Sequence, residues 1–466
     1  MASSPSQSQS SLQIDSVEMT TDTLTSRGGM TLFVRYLRNI SLMNHLDRHF
    51  GRLRKSAKGA PIAEMFKQII CFCVDGTSRH LTYFDHLMED EGYARGIETD
   101  PGEMVSSHSV KRFFKSFSWP LIWFFRQVLQ QLFLWRLNHL KPDVIVLGID
   151  SMVMDNDEAV KRHGVQPTYK KVKGFHPLQM TWGRFIVDAV FRGGKKHCNH
   201  GETVAKMVCH IVANIRSNYR ADVPIVILLD SGFFDQKLFR VFEILGIGYV
   251  CGGKLNEGVK AYVKSVEATC WGRLNKGDQT WDYLEFGDKG PTWSKYRRAV
   301  FCRPRYEGRQ SLLKFARPET ILYTNLGRGE RIDGQLDLAG RERWLTAEGV
   351  IKLAHRRGRE ELVHRALKDF RSQELPFKRF SPNAAFYYVI LLAFFLCEAF
   401  KEDVLSKVVP VEAYPTTLRR KVIDIAAKIV RTGGKTILKV TAVVWNRLDI
   451  QTLWGRSSHP PAFSWA

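Results

Sequence analysis

The chain has 466 residues, 44% of them hydrophobic, which is enough for two or three domains with sizeable buried cores. Lys and Arg number 69 against 47 acidic residues, a formal net charge of +22 with a pI near 9.7, and this surplus favours nucleic acid or an anionic membrane as partner. Eight scattered cysteines without a CxxC pair exclude a disulfide scaffold and predict reduced thiols in an intracellular protein.

Residues 1–27 open on a Ser/Gln-rich run without the basic start and apolar core of a secretory signal, and they read as a disordered tail. Residues 28–140 read as a helical domain. Leu32, Val34, Leu37, Ile40, Leu42 and Leu46 give an amphipathic start, and Pro61 opens a helix from its first turn. Ser107 caps a short basic helix carrying Lys111 and Arg112, and Trp119 to Leu137 forms an aromatic-rich one. Such a region suits DNA binding, and equally a bundle that packs on the rest of the chain.

After Pro142 the pattern turns to strands. Val144 to Ile149 is a buried β-run ending on Asp150; Leu178 to Trp182 and Phe185 to Arg192 form a hairpin around Gly183-Arg184. The cramped His197-Cys198-Asn199-His200 run has no second pair at zinc-finger spacing and reads as a loop. A helix follows from about Thr203 to Ile215. Pro224 to Leu229 is a second buried strand, ending on Asp230, and Phe233 to Leu245 is a helix before the strand Gly248 to Cys251. Residues 265–343, rich in Trp, Gly and Arg with alternating segments, read as a β-rich insertion. From about Thr346 the chain reads as mostly helical to about residue 442. Its longest uncharged apolar stretch, the twelve residues Phe386 to Cys397, is short of the ~20 a membrane span needs and predicts a buried helix.

Two buried strands of one sheet ending on aspartates point to a shared site, because ligand-binding groups collect at strand carboxyl ends. Asp230, before Ser231-Gly232, also suits a helix cap. A third acid, Glu361, lies on a helix with Arg357 four residues before it and Lys368 seven after. At 100° per residue the three project within about 40° of one another, while Glu360 lies about 100° away. A carboxylate flanked by two cations suits metal holding beside phosphate gripping; an exposed helix laced with salt bridges is the alternative.

The order Asp, Asp, β-rich insertion, Glu-bearing helix resembles the DDE transposases of bacterial insertion sequences, above all the thirteen-eighty insertion-sequence family. The matching pieces are Gly148-Ile149-Asp150-Ser151, Lys173-Gly174-Phe175-His176-Pro177-Leu178, Leu229-Asp230-Ser231-Gly232-Phe233-Phe234, Arg357-Gly358 before Glu361, Phe380-Ser381-Pro382-Asn383-Ala384, and Gly76 through Asp85 to Asp90. They span roughly residues 28–445. The family signature Tyr, two residues, Arg, three residues, Glu, six residues, Lys is met by Arg357, Glu361 and Lys368. Ala354 stands at its tyrosine, and Gly193-Gly194-Lys195 stands where the pattern reads Pro-Gly-Asn.

The resemblance implies an α/β fold: a ribonuclease-H-like catalytic core with a β-rich insertion and an N-terminal helical DNA-binding domain. The core would comprise residues 141–264 and 344–400, with Asp150 on its first strand, Asp230 on its fourth and Glu361 on a late helix. Residues 401–466 would form a helical C-terminal region. The three acids would hold two Mg²⁺ ions, or Mn²⁺ as substitute, for cutting DNA at terminal inverted repeats and joining 3′-hydroxyls to target DNA. Arg357, Lys368, Lys111, Arg112, Lys173 and His176 are the candidate DNA contacts. A homodimer on double-stranded DNA, cytoplasmic and nucleoid-associated in a bacterium and free of membrane, completes the expectation. The alternatives are a decayed or domesticated protein that only binds DNA, and a metal-dependent nuclease that never joins strands.

Overall fold

The computed structural model describes residues 14, 16–54, 59–277, 279–305, 319–370 and 375–462; the side chains of residues 359 and 360 lie outside that description. Most of the expected N-terminal tail, residues 1–13 and 15, is also outside it. Within that segment Thr23–Thr25 forms a strand, β1, paired antiparallel with a strand near the other end of the chain.

Helices then follow in the order α1 (Met30–Asn39), α2 (Leu42–Phe50), α3 (Ile62–Asp75), α4 (Tyr83–Glu89), α5 (Glu91–Gly96), α6 (Ser107–Lys115) and α7 (Trp119–Leu140). Local chemistry sets their ends. Pro61 precedes α3, and Gly76 closes it at φ 63°, where a side chain would be strained and would also strike the Arg419 guanidinium. The cap of α6 is Ser106, whose hydroxyl accepts the Ser109 N–H, one residue before the expected Ser107.

The central sheet has nine strands. Its core comprises β2 (Ile145–Ser151), β6 (Leu178–Trp182), β7 (Phe185–Val190), β8 (Ile225–Leu229) and β9 (Gly248–Gly252), in the spatial order β7-β6-β2-β8-β9. Strands β2, β8 and β9 run parallel, and β6 and β7 form the expected hairpin. A small separate sheet of β3 (Met154–Asp155), β4 (Gln166–Pro167) and β5 (Lys173–Phe175) lies between β2 and β6 in the chain. Helices α8 (Thr203–Asn218) and α9 (Gln236–Ile244) connect β7 to β8 and β8 to β9.

After α10 (Glu257–Ser265), the strands β10 (Gly272–Lys276), β11 (Gln279–Asp288), β12 (Arg297–Arg305) and β13 (Thr320–Thr324) extend the same sheet, with β13 paired to β9. Residues 265–343 are therefore continuous with the core sheet, and they end in a helix, α11 (Arg331–Leu338). Next come α12 (Ala347–Arg356) and α13 (Gly358–Lys368).

Helix α14 (Phe380–Phe400) is apolar on every side and buried from Pro382 through Phe400, as a helix without a polar face must be. It is longer than the expected stretch. Residues Phe380–Leu405 are long and apolar enough to cross a membrane, and here that span is enclosed by protein. Helices α3, α6 and α7 and strand β7 flank it. Asn383 fixes its start: the side-chain carbonyl accepts the Phe377 N–H at 2.8 Å and the amide donates to the Phe377 carbonyl at 2.7 Å. Tyr387 and Tyr388 tie it to the sheet through Gln179 and the Ala189 carbonyl. Strand β7 is stapled to α7 by Asp188, fully buried, which takes both Arg126 nitrogens at 2.7 and 2.6 Å.

The expectation of helix to about residue 442 fails at one place. After α15 (Pro415–Leu418), β14 (Ala427–Thr432) and β15 (Lys435–Val440) form a hairpin before α16 (Ala442–Leu448) and α17 (Ile450–Ser458). Gly433 and Gly434, both at positive φ, make its two-residue turn, and the β14–β1 pairing joins the two ends of the chain.

Candidate active site

Register places the first two acids. Ile145 pairs with Ile225 and Ile149 with Leu229 along parallel β2 and β8, so the next residues, Asp150 and Asp230, leave neighbouring strands side by side. Asp150 accepts the Ser151 N–H at 2.7 Å, and Asp230 accepts the Gly232 N–H at 2.8 Å, capping a single 3₁₀ turn. Asp230 is thus both a cap and a neighbour of Asp150.

Between the two carboxylates reaches Arg357, with Nη2 3.8 Å from Asp150 and 4.0 Å from Asp230. Burial holds the Asp230 carboxyl above the ordinary value; Arg357 opposes that rise and the negative charge of Asp150 adds to it. Two neighbouring carboxylates that share one cation are a site poised for positive charge.

Arg357 stands at the junction of α12 and α13, with helical φ and ψ of −56° and −26°. Its N–H bonds to the Ala354 carbonyl, three residues back, and Gly358 starts α13. His364, three residues after Glu361, is the α13 side chain that meets the acids. Its Nδ1 lies 3.8 Å from Asp150 Oδ2, and burial pulls its pKa down against the charge of Asp150. Sequence reasoning assigned it no role, although its i+3 spacing from Glu361 was a usable signal. Glu361 itself is exposed. Among the described residues no hydrogen bond or ion pair ties it to either aspartate, and no group of three His, Cys, Asp or Glu is close enough to hold a metal. Glu360's side chain is outside the described residues.

A cavity of about 360 Å³ opens beside the acids, lined by Asp230, Gly252, Trp281, Ala354 and Arg357 among others. Ala354, at the signature's tyrosine position, therefore faces space next to the pair. Gly194, the glycine shared with the family's Pro-Gly-Asn, is sterically required: a Cβ there would lie 2.1 Å from the Gln166 carbonyl oxygen and 2.5 Å from that of Gly174. Cys198, in the loop read as non-zinc, sits 3.5 Å from the Ser151 hydroxyl, and burial raises its thiol pKa. All eight cysteines are free thiols.

The remaining candidates are spread out. Lys368 lines a cleft of mixed charge with Arg27, Arg419 and Arg420 and the acids Asp75, Asp369 and Asp424. Lys111 and Arg112 lie on α6, with Arg112 exposed, and Lys173 is exposed on β5. His176 is 2% exposed, its Nδ1 2.7 Å from the Lys196 carbonyl oxygen, so its ring braces the fold and offers DNA no surface.

Comparison with known proteins adds three findings. No curated protein matches the chain. Among solved structures it is similar to a piggyBac transposase synaptic complex with hairpin DNA, at 12% identity and a TM-score of 0.37, covering 86% of this chain and 81% of that one. Over residues 8–452, nearly its whole length, the sequence matches the family described as transposase DDE domain group 1, and the chain belongs to that family.

Proposed function

We propose that the protein binds the terminal inverted repeats of a mobile element, cuts DNA at its ends and joins the freed 3′-hydroxyls to target DNA. The observation that carries this reading is the emergence of Asp150 and Asp230 side by side from parallel strands, with Arg357 within 4.0 Å of both. The order of the strands supports a ribonuclease-H-like core: in the large sheet β2 is first along the chain and β8 fourth, the places that reading gives the two aspartates. The six motifs in order support placement in the thirteen-eighty insertion-sequence branch, and with it a bacterial, nucleoid-associated protein.

DDE transposases generally use divalent metal ions, and the donor set fits one: two facing carboxylates, hard oxygen ligands, already seat a cation. Asp150 and Asp230 would hold Mg²⁺ or Mn²⁺, two ions per site, with Glu361 completing the set from α13. The metal, when bound, supplies Lewis acidity at the phosphate and a water of lowered pKa. Arg357 moves from the carboxylates to a DNA phosphate, where its fork of donors holds the strand in line. Lys368, Lys111, Arg112 and Lys173 take the backbone further out. Water attacks first and releases a 3′-hydroxyl; that hydroxyl then attacks target DNA, each step forming one P–O bond as another breaks. Two ends and one target imply a homodimer on DNA.

Ala354 favours a second reading, a protein that binds DNA or cuts it without joining, because the cavity beside Asp230 lacks the signature's tyrosine. A cleavage and strand-transfer assay with Mg²⁺ or Mn²⁺ on element ends separates them. The wild type should cut and join, whereas Asp150→Ala, Asp230→Ala and Glu361→Ala should bind without cutting. Full activity in any of these variants refutes the role of that acid, and cutting without joining of pre-cleaved ends selects the nuclease.

A further inference from the structure

The segment between β4 and β5 carries an aromatic side chain that folding does not account for. Its tip is built rigidly. The Thr168 N–H and hydroxyl both donate to the Val172 carbonyl, at 2.9 and 2.8 Å, and the Lys171 N–H donates to the Thr168 carbonyl at 3.1 Å. Lys171 sits at φ 62°, a left-handed conformation costly for a lysine, so the tip is held in one shape against local strain.

At the centre is Tyr169, 65% exposed, with its ring centroid 5.3 Å from that of buried His176. His176 is itself anchored to the Lys196 carbonyl, so the tyrosine leans on a fixed ring while most of its surface stays open. Lys170, Lys171 and Lys173 are exposed around it, and Lys170 Nζ lies 5.8 Å from the tyrosine centroid. The tip stands near the acids: Tyr169 leans on His176, the carbonyl of the next residue, Pro177, accepts the Met152 N–H at 3.1 Å, and Leu178 pairs with Ser151, the neighbour of Asp150. An exposed aromatic ring with one lysine 5.8 Å over it and two more exposed lysines in the same segment is a combination that holds an unpaired nucleotide, the ring taking the base and the lysines the phosphates.

We propose that the Thr168–Val172 tip is a stacking platform for a nucleobase drawn out of the duplex beside the scissile phosphate, with Tyr169 as the stacking ring. This rests on the reading of Asp150 and Asp230 as the DNA-cutting site. The partner is a base out of its stack, because a base inside the duplex hides the face that a tyrosine can cover. Ala354 fits the same picture: where the signature's tyrosine is missing, Tyr169 brings an aromatic ring to the acids from another element.

The test uses the full chain in metal-free buffer and a fluorescently labelled duplex of the element end, with one unpaired adenine at the cleavage position or an abasic residue in its place. Wild type should bind the adenine probe about tenfold more tightly than the abasic one. Tyr169→Ala should lose that preference with an unchanged unfolding midpoint, since the side chain is largely exposed, and Tyr169→Phe should keep it. A wild type indifferent to the base, or a Tyr169→Ala protein that keeps the preference, overturns the proposal. Loss of preference in Tyr169→Phe also overturns it, in favour of a hydroxyl–phosphate contact. Asp150→Ala should retain the preference while abolishing cutting with Mg²⁺. Continued cutting by Asp150→Ala would sink the reading of the acids, on which the platform's place beside the scissile phosphate depends, whereas the base preference is measured without metal or cleavage.

Discussion

Replacing Arg357 by Gln tests the electrostatics at the centre of the site. The guanidinium lies 3.8 Å from one carboxylate and 4.0 Å from the other. At an effective dielectric of ~20, unit charges at that distance attract by about 4 kcal/mol before any cost is subtracted. The side chains are 24%, 22% and 39% exposed for Arg357, Asp150 and Asp230, so solvent screening and side-chain ordering reduce each pair to about 1 kcal/mol. Arg357→Gln should therefore destabilise the wild type by about 1–2 kcal/mol at neutral pH and low salt. In an Asp150→Asn, Asp230→Asn background the same change should cost almost nothing. The pH dependence has a definite sign. Asp230's folded pKa is raised, so its folded form holds the proton more tightly, and its contribution to stability declines as pH rises from about 3.9 through the folded value. Removing Arg357 removes an influence that lowers that pKa, and the decline should extend to higher pH. Urea unfolding of the four proteins from acid to mildly alkaline pH measures both effects. An equal loss in the two backgrounds would show that Arg357 acts through packing or through other partners, and would refute the account.

Asp188→Ala should cost about 3–5 kcal/mol in denaturant unfolding, because it leaves the Arg126 guanidinium unpaired between α7 and β7; a loss under about 1 kcal/mol would mean that water replaces the carboxylate. Buried His45 has its pKa pulled down to about 4. Its contribution to stability is therefore full above ~6.5 and should fall by roughly 2–3 kcal/mol as pH drops towards 4, a slope that His45→Gln should flatten in a thermal-unfolding series. Gly194→Ala drives a Cβ into two backbone carbonyls, so DNA-end cleavage should fall at least about tenfold with loss of thermal stability, and wild-type behaviour would show that this loop yields. Ala354→Tyr puts a ring into the cavity beside Asp230 and Arg357; tighter binding of element ends in a gel-shift titration is the expected outcome, and unchanged affinity would detach that cavity from DNA.

What the sequence made legible was what short-range physics decides. Val144 to Ile149 and Pro224 to Leu229 are apolar runs long enough to be strands in any compact setting, and each ends on an acid, so the pair could be read without knowing the sheet. The hairpin at Gly183-Arg184 and the buried Phe386–Cys397 helix were legible for the same reason. The small sheet was not, because β3 and β4 have two residues each and no periodicity. The β14–β15 hairpin carried a local signal, the Gly433-Gly434 turn between two β-rich runs, and only its pairing with β1 depended on residues at the other end of the chain.

The third position shows the limit most clearly. A helical wheel puts Arg357, Glu361, His364 and Lys368 within about 60° of one another on one face, and Arg357 keeps helical φ and ψ of −56° and −26° at the junction of α12 and α13. In the structure Arg357 reaches the two aspartates, His364 comes within 3.8 Å of Asp150, and Glu361 stays exposed. Spacing along the chain predicts which residue types share a neighbourhood. Which of them touches the acids depends on tertiary packing and on the charge already seated there. In the free protein that charge is the guanidinium of Arg357; a metal ion needs the same carboxylate oxygens, and DNA phosphate offers Arg357 another partner. On the proposed function, loading of the acids and capture of the DNA end would be coupled through one side chain.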